Sequence, residues 1–419
     1  MKAFFRFIIG GFLSFKARKF LREHHVQIIG VTGSIGKTST KEAIYTVLKD
    51  KFNVHSSQKS FNTEMGLSLA VLQEEESGFS SPTAWFKILR RVLFDKKEPY
   101  QKVVLEMGAD SPGDLRRLIK IAPPHISVIT NVNPVHLGEG QFKDLDAIAR
   151  EKSTLIRYLP KEGVAVLNYD DAYVREMDTN AFKLTYGVHS PAMLMAGDIK
   201  VTAKNISFLA TFKDQSAKFT VPVIGGFQIY ILLPAIAVGL QMGMTLPDIS
   251  EALREFRLPA GRMNPISGVN RSQIIDGSYN ASPTTMETAL DLLAELKAER
   301  KIAALGMMNE LGELSYNAHI RIGAKAAHTA DILVAVGKEA PAYKKGAMEA
   351  GMKEENIFTF FDSREAGDWL RNELSGGDLV LVKGSQNRVR MERLVKAIMK
   401  EPEQAEFLLC RQGASWDKI

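Results

Sequence analysis

The stretch Thr32-Gly-Ser-Ile-Gly-Lys-Thr-Ser39 has the residue types and spacing to hold a phosphate. Gly33 and Gly36 let backbone N–H groups curl toward an anion, and a helix starting just beyond would add its positive end. Lys37 would reach the β- and γ-phosphates of a nucleotide, and the Thr38 hydroxyl would ligate Mg²⁺. Ser34 and Ser39 complete the cradle. The full phosphate-loop pattern wants glycine at position 31, where this chain has Val31, so the first glycine is displaced.

Such a loop works only between a strand and a helix. Val26-Gln-Ile-Ile-Gly-Val31 is a β-branched run of strand length, and the pattern from Lys37 to about Lys49 is helical. Val103–Met107, Ile126–Thr130 and Val164–Leu167 are further apolar runs of strand length, and helical patterns lie between them. That alternation predicts a parallel sheet covered by helices. Ligands of such sheets gather at the C-terminal ends of the strands. Glu106 and His136 follow two of these strands and become candidates for a metal site; taken singly, each reads as an ordinary polar residue.

Residues 192–223 change character, and Ile206-Ser-Phe-Leu-Ala-Thr-Phe212 alternates as antiparallel strands do. A helical run covers Tyr230 to Met242, and Leu258-Pro-Ala-Gly-Arg262 reads as a linker. The strand and helix pattern then restarts, with strands at 274–275, 302–305, 332–336 and 379–382 and helices near 284–299, 318–329 and 390–400. The expected fold is α/β. A P-loop central ATPase domain (26–257) has a mostly parallel sheet plus a smaller antiparallel part, and a Rossmann-like α/β C-terminal domain (258–400) follows. Residues 1–25 form a basic, Phe-rich segment, and 401–419 form a tail.

Composition excludes several classes. Apolar residues make up 45% and charged residues 24%, which rules out disorder and a small disulfide scaffold. The single cysteine, Cys410, cannot form an internal disulfide and fits a reducing compartment, hence a cytoplasmic location. The net charge of +6 would fit a nucleic-acid binder if it were spread over a face. Instead Lys2, Arg6, Lys16, Arg18, Lys19 and Arg22 supply all of it within residues 1–22, so no nucleic-acid partner is expected. The apolar run in that segment, Ala3 to Phe15, is too short to span a bilayer, and no small-residue cleavage site follows it. Two readings stand for it: a cover over an apolar patch of its own body, or peripheral contact with the inner face of a membrane.

Several segments together resemble the Mur ligases, amide-bond-forming ATPases of peptidoglycan synthesis. The phosphate loop is one. Phe61-Asn-Thr-Glu-Met-Gly66, Val104-Leu-Glu-Met-Gly-Ala109 and Thr130-Asn131 through His136-Leu137 are others. Asp276-Gly-Ser-Tyr-Asn-Ala281, the stretch Leu305–His319, and Val382-Lys-Gly-Ser385 with Met391-Glu392 continue the series in family order. The members most resembled add D-alanyl-D-alanine to a UDP-N-acetylmuramoyl-tripeptide. The resemblance implies ATP and Mg²⁺ as cofactors, and a UDP-muramyl peptide and D-alanyl-D-alanine as substrates. Lys37 and Thr38 would hold phosphates and one Mg²⁺, and Glu106 and His136 would join the metal site. Lys152 matches a lysine that the family carbamoylates. Arg262, Asp276 and Asn280 match residues on the nucleotide side, and Asn62 and Glu64 match residues near the substrate. Lys383, Ser385 and His319 would touch substrate or serve the C-terminal domain's fold.

The implied chemistry is carboxylate activation. A peptide carboxylate acylates poorly; phosphorylation by ATP makes an acyl phosphate, and the incoming amine displaces phosphate. Some positions depart from the family. Phe227 and Ile231 stand where His and Asn are usual, Met307 replaces an Asp, Ser68 a Pro and Asn133 a Gly. The family usually begins with a UDP-binding domain, whereas this chain reaches its phosphate loop by about residue 30, so the expectation is that this domain is missing. Two alternatives stay open: a related ligase with another acceptor, such as a lipid-linked one, and a nucleotide-binding module without turnover that recruits cell-wall enzymes.

Overall fold

The computed structural model describes residues 2–57, 63–74, 82–95, 97–134, 141–202, 204–309, 311–386, 389–413 and 416, with 2–7 and 82–83 described by backbone only. Two compact units divide the chain. The first is Met1–Ile199, Ser207–Val221 and Gln228–Phe256; the second is Lys200–Ile206, Pro222–Phe227 and Arg257–Ile419.

In the first unit, β1 (Gln27–Thr32), β2 (Val54–Ser56), β3 (Lys102–Glu106), β4 (Ile126–Ile129), β5 (Val164–Asn168) and β6 (Phe182–Gly187) pair in parallel, in the order β2-β3-β1-β4-β5-β6. β7 (Leu194–Val201), β8 (Ile206–Phe212) and β9 (Gln215–Val221) extend it to nine strands among the described residues. β4 and β5 are buried at every position, which is why their sequences are mostly apolar rather than alternating, with Ser127 and Asn168 as buried polar exceptions. β8 alternates in burial as its sequence does, and its Phe208 stacks on Phe219 of β9 at 5.2 Å. The helices are α1 (Lys2–Glu23), α2 (Lys37–Leu48), α3 (Glu64–Val71), α4 (Pro82–Phe94), α5 (Asp114–Ile119), α6 (Leu145–Arg157), α7 (Ala172–Arg175), α8 (Ile229–Gln241) and α9 (Leu246–Leu253).

The strand order matters for function. β1 sits between β3 and β4, so the chain winds to one side of β1 and later to the other. The switch point opens a crevice at the C-terminal end of β1, where the phosphate loop begins.

α1 runs unbroken through Gly10-Gly11, a pair that weakens a helix by about 1 kcal/mol per glycine. Packing outweighs that cost. Ile9, Leu13, Ala17 and Leu21, one stripe at i, i+4, i+8 and i+12, are buried in the core that also holds Leu67, Leu69 and Val71 of α3. At about 2 kcal/mol per buried leucine or isoleucine, three such side chains outweigh two glycines. Ser14 Oγ lies 3.2 Å from Ser68 Oγ inside this contact. The inner face of α1 therefore covers the body.

The second unit has a six-stranded sheet among the described residues. β10 (Asn264–Ser267) pairs antiparallel with β11 (Gln273–Gly277). β11, β12 (Arg300–Leu305), β13 (Ile332–Val336), β14 (Ile357–Phe360) and β15 (Asp378–Lys383) run parallel in the order β11-β15-β12-β13-β14. α10 (Pro283–Glu295), α11 (Ser315–Thr329), α12 (Ala340–Glu349), α13 (Ser363–Glu373), α14 (Glu392–Ile398) and α15 (Ala405–Leu408) accompany it. Two apolar clusters carry this unit, one with Leu290, Ile322 and Tyr343, the other with Leu370, Val382 and Leu394. Described residues after 400 belong to it, against the expected tail: Ala405 and Leu409 are buried in the second cluster. Among the described residues, no helix is long and apolar enough to cross a membrane.

Candidate functional site

The phosphate loop is held in shape by the end of β4. Ser34 N–H donates to the Asn131 carbonyl at 2.9 Å, and Ile35 N–H donates to Asn131 Oδ1 at 2.9 Å. Thr130 Oγ1 and Asn131 Nδ2 both donate to the Ile35 carbonyl, at 2.8 and 3.0 Å. Ser34 Oγ donates to the Asn133 carbonyl at 3.1 Å. Gly33 permits this closeness, since a Cβ there would lie 1.8 Å from Thr130 Oγ1. Gly36 caps α2 with φ of 86°, a left-handed conformation that L side chains resist. Lys37 Nζ reaches back over the loop to the carbonyls of Gly33 (3.0 Å) and Ser34 (3.2 Å).

Thr38 and Ser39 are buried in the first turn of α2. Thr38 Oγ1 donates to Glu106 Oε2 at 2.8 Å, so the last residue of β3 meets the phosphate loop as the strand order requires. Lys152 lies on α6 and is 2% exposed. Burial lowers its amine from 10.5 to about 7; the Lys37 charge pushes the same way, against Asp110 and Glu151. Glu151, its neighbour, accepts from the N–H groups of Gly113 and Leu115 at 2.8 Å each, docking α6 against the start of α5. His136 and Asn62 lie outside the described residues. Glu64 is exposed and pairs with Arg117 at 3.0 Å, in a cleft shared with Thr63, Asp110 and Asp114. Among the described residues no three His, Cys, Asp or Glu side chains are grouped so as to hold a metal ion by themselves.

The residues expected in the C-terminal domain gather by themselves in the second unit. Asp276 is fully buried near the end of β11, and burial raises its carboxyl from 3.8 to about 6. Its Oδ1 accepts from Ser278 N–H at 3.0 Å, while its Oδ2 is buried with no hydrogen-bond partner among the described residues. Asn280 is exposed at the following turn. The Arg262 guanidinium stacks 3.9 Å from the Tyr279 ring centre. Lys383 donates to the Asn280 carbonyl at 2.9 Å, and burial, then Arg262, lowers its amine from 10.5 to about 8. Ser385 Oγ donates to the Ala281 carbonyl and accepts from Asn309 N–H, both at 2.9 Å. Lys383 and Ser385 thus hold the backbone of the turn that carries Asn280. His319 is fully buried; its Nε2 accepts from Met308 N–H at 3.0 Å and its Nδ1 donates to the Ser315 carbonyl at 2.6 Å.

Sequence reasoning missed several residues. Asn131 shapes the phosphate loop and stands in the quoted Thr130-Asn131 pair. Asp110 faces Lys152 electrostatically and sits just past the end of β3. Arg411 was passed over as tail. It donates to the carbonyls of Ser278 (2.6 Å) and Tyr279 (3.0 Å) and to both oxygens of Glu392 (3.1 and 2.8 Å). Of the departing positions, Asn133 bonds to Ser34 of the loop, its N–H donating to Ser34 Oγ at 2.9 Å, and Ile231 lies close by: a Cβ on Gly36 would lie 3.8 Å from its Cγ1. Phe227 packs against the apolar cluster of the second unit.

Comparisons with known proteins agree on one relationship. The model of the Mur ligase middle domain matches residues 31–239, and that of the Mur ligase glutamate ligase domain matches 261–386. The UDP-N-acetylmuramoyl-tripeptide–D-alanyl-D-alanine ligase of Mycobacterium leprae is 32% identical over 391 residues, covering 86% of this chain and 71% of the relative. The enzyme of that name from Bacillus subtilis is 28% identical over 391 residues, covering 92% of this chain and 79% of the relative. The crystal structure of MurF ligase from Thermotoga maritima in complex with ADP superposes with a TM-score of 0.78 at 28% identity, over 94% of this chain and 84% of that one. With both family domains matched in order and a relative above 30% identity over most of its length, the chain belongs to the Mur ligase family.

Proposed function

We propose that the chain is an ATP-dependent amide-bond ligase that adds D-alanyl-D-alanine to a UDP-N-acetylmuramoyl-tripeptide. One observation carries the reading: Thr38 is bonded to Glu106 at 2.8 Å in the unit where Lys152 is buried with its amine lowered to about 7. A strand-end carboxylate, a loop hydroxyl and a buried lysine of low basicity are the parts a carbamate-assisted phosphoryl-transfer site needs.

The residues fit the cofactors. Thr38 and Glu106 offer hard oxygen donors of the kind Mg²⁺ takes, and His136 is proposed to join them from sequence. Mg²⁺, when bound, would offset negative charge on the phosphoryl group in transfer. Lys37, already folded over the loop, would do the same from the loop side. An amine lowered to about 7 is largely uncharged at slightly alkaline pH, and only an uncharged amine adds CO₂. That addition yields a carbamate and releases one proton, which turns Lys152 from a cation into an oxygen ligand. In the second unit, the buried Oδ2 of Asp276, unpartnered among the described residues, is an acceptor suited to a nucleotide hydroxyl. Asn280 and Arg262 would contribute beside it.

The amide bond itself asks little of the protein. The carboxylate of the peptide takes the γ-phosphoryl group and becomes an acyl phosphate. The amine of the incoming dipeptide forms the C–N bond, loses a proton, and phosphate leaves. No protein nucleophile is needed. Asn62 and Glu64 are proposed on the substrate side, and Lys383 and Ser385 act through the Asn280 turn. The domain scheme follows the same reading: 26–257 as the ATP-binding domain and 258–400 as the C-terminal domain, extended by the residues after 400 that pack into its core, acting in the cytoplasm where ATP is supplied.

The test is phosphate release with Mg²⁺-ATP, UDP-muramyl tripeptide and D-alanyl-D-alanine, each omitted in turn. Release that needs all of them supports the proposal. Release without the dipeptide, or saturable ATP binding with no release on any muramyl peptide, overturns it.

A further inference from the structure

α4 carries two apolar faces. Trp85 and Ile88 are buried in the core, with Leu89 and Val92 packed against it, a stripe at i, i+3, i+4 and i+7. The outward stripe also contains large apolar groups: Phe86 is 72% exposed, Leu93 48% and Phe94 77%. Lys87 and Arg90 are exposed among them. An ordinary surface helix is polar on its outer side.

α1 repeats the arrangement. Its inner stripe is buried, as described, while Ile8 and Phe15 are 52% and 53% exposed. Arg18, Lys19 and Arg22 continue that outer side and are exposed. Both helices pack into the same core cluster. α3 connects them: Gly10 lies against Met65 at its start, and Arg91 pairs at 3.1 Å with Glu74, just beyond its end.

Charge follows the same division. Lys2–Glu23 holds six basic residues against Glu23, and Pro82–Phe94 holds Lys87, Arg90 and Arg91 against no acid. The two helices therefore carry an excess of eight positive charges, while the whole chain carries +6, so everything else sums to −2. Glu23 pairs with Lys19 at 3.5 Å and Glu74 with Arg91 and Lys97, and these acids leave Lys87, Arg90, Arg18 and Arg22 facing outward.

We propose that the outward faces of α1 and α4 form a docking surface for an anionic lipid membrane, with Ile8, Phe15, Phe86, Leu93 and Phe94 entering the interface and the basic side chains at the headgroups. Phenylalanine and leucine interleaved with lysine and arginine match the two chemistries of a headgroup boundary. A purely polyanionic partner would use the charges but gain nothing from the exposed apolar groups. The proposal goes beyond the ligase reading and does not depend on it.

The experiment is flotation of the full chain with vesicles of equimolar phosphatidylglycerol and phosphatidylcholine, and with phosphatidylcholine alone. Wild type should float with the anionic vesicles only. Binding should fall when salt rises from about 0.1 M to about 1 M, where the screening length drops from about 10 to 3 Å. The pair Phe86→Ser and Phe94→Ser should weaken binding at least about tenfold, and Lys87→Ala with Arg90→Ala by at least about tenfold. All four side chains are exposed on α4, so thermal melting should be unchanged in both variants. Vesicle binding undiminished in both variants overturns the proposal. So does binding to RNA or heparin, or self-association of the chain, with no binding to anionic vesicles.

Discussion

Thr38 and Glu106 are joined by a hydrogen bond of 2.8 Å between the first turn of α2 and the last residue of β3. The two elements are separated by 68 positions in the sequence, and the bond exists because β3 pairs beside β1 in register, with Val31 opposite Glu106. The hydroxyl and the carboxylate are thus presented together before any nucleotide arrives.

Glu106→Gln keeps the size and the acceptor but removes the charge. Phosphate release should fall on the order of 10²–10³-fold, as when one preorganised electrostatic group is lost. The Mg²⁺ concentration at half-maximal rate should rise as well. A Mg²⁺ titration of the variant checks both, and an unchanged titration curve would remove Glu106 from the metal site.

Lys152 sets a pH dependence of known sign. Its amine is lowered from 10.5 to about 7 in the folded protein, mainly by burial. Between about pH 7 and pH 10.5 the unfolded chain therefore binds more protons, and the stability contribution rises with pH. Below about pH 7 the folded protein holds a buried ammonium and bears the full cost. In CO₂-free buffer, Lys152→Met should raise the melting temperature by at least about 2 °C at pH 6 and by less at pH 9. Activity of the same variant should be lost, and the carbamate signal from ¹³C-bicarbonate should vanish with it.

The burial of His319 predicts a role in the fold rather than at substrate. Its neutral ring accepts from Met308 N–H and donates to the Ser315 carbonyl, and burial lowers its pKa from 6.5. The stability it contributes is present above about pH 6.5 and is lost as pH falls through the lower folded-state value. His319→Ala should cost about 2 kcal/mol by leaving a buried N–H unpaired, while KM for ATP stays unchanged. A raised KM with unchanged stability would reverse that assignment.

Arg411 and Arg390 flank Glu392, whose side chain is fully buried. Burial pushes the Glu392 carboxyl up, but the two guanidinium groups outweigh it and hold it below its ordinary value. Arg411→Ala strips one partner from this charge and releases the carbonyls of Ser278 and Tyr279. The cost should be about 3 kcal/mol, at the low end for a broken buried pair because Arg390 remains. Urea unfolding followed by Trp369 fluorescence reads it. A change below about 0.5 kcal/mol, within the range of ordinary surface substitutions, would mean the tail is not part of this network.

Much of the fold was legible because strong local signals agreed. β1, the phosphate loop and α2 form an apolar run, a glycine pair and a helical pattern in immediate succession. β8 was readable at both ends because one of its faces is more buried than the other. β14, α12 and α13 drew no specific expectation; β14 is a four-residue edge strand with one buried position, so its apolar signal is short. Lys152 was identified through family resemblance alone, yet a local signal existed. Ile148, Lys152, Leu155 and Ile156 fall on one stripe of α6, and all four are buried. A lysine on the apolar stripe of an amphipathic helix is buried by periodicity, and that alone marks it as unusual. Arg411 had no such signal. Its partners Ser278 and Tyr279 lie 133 and 132 positions away, and no local pattern encodes that contact. Cys410 is a similar case: it is buried 3.6 Å from Ser278 Oγ, a contact with no local signal, and burial pushes its thiol up to about 12, leaving it unreactive.

The contact between α1 and α3 has a consequence for synthesis on the ribosome. Ser14 and Ser68 are 54 positions apart, so α1 emerges well before the helix it covers. At about 5–20 residues per second, its stripe of Ile9, Leu13, Ala17 and Leu21 waits about 3–10 s for its partner. During that interval the nascent chain presents a basic, apolar helix to whatever surrounds it, and a chaperone or a lipid surface can reach it before α3 does.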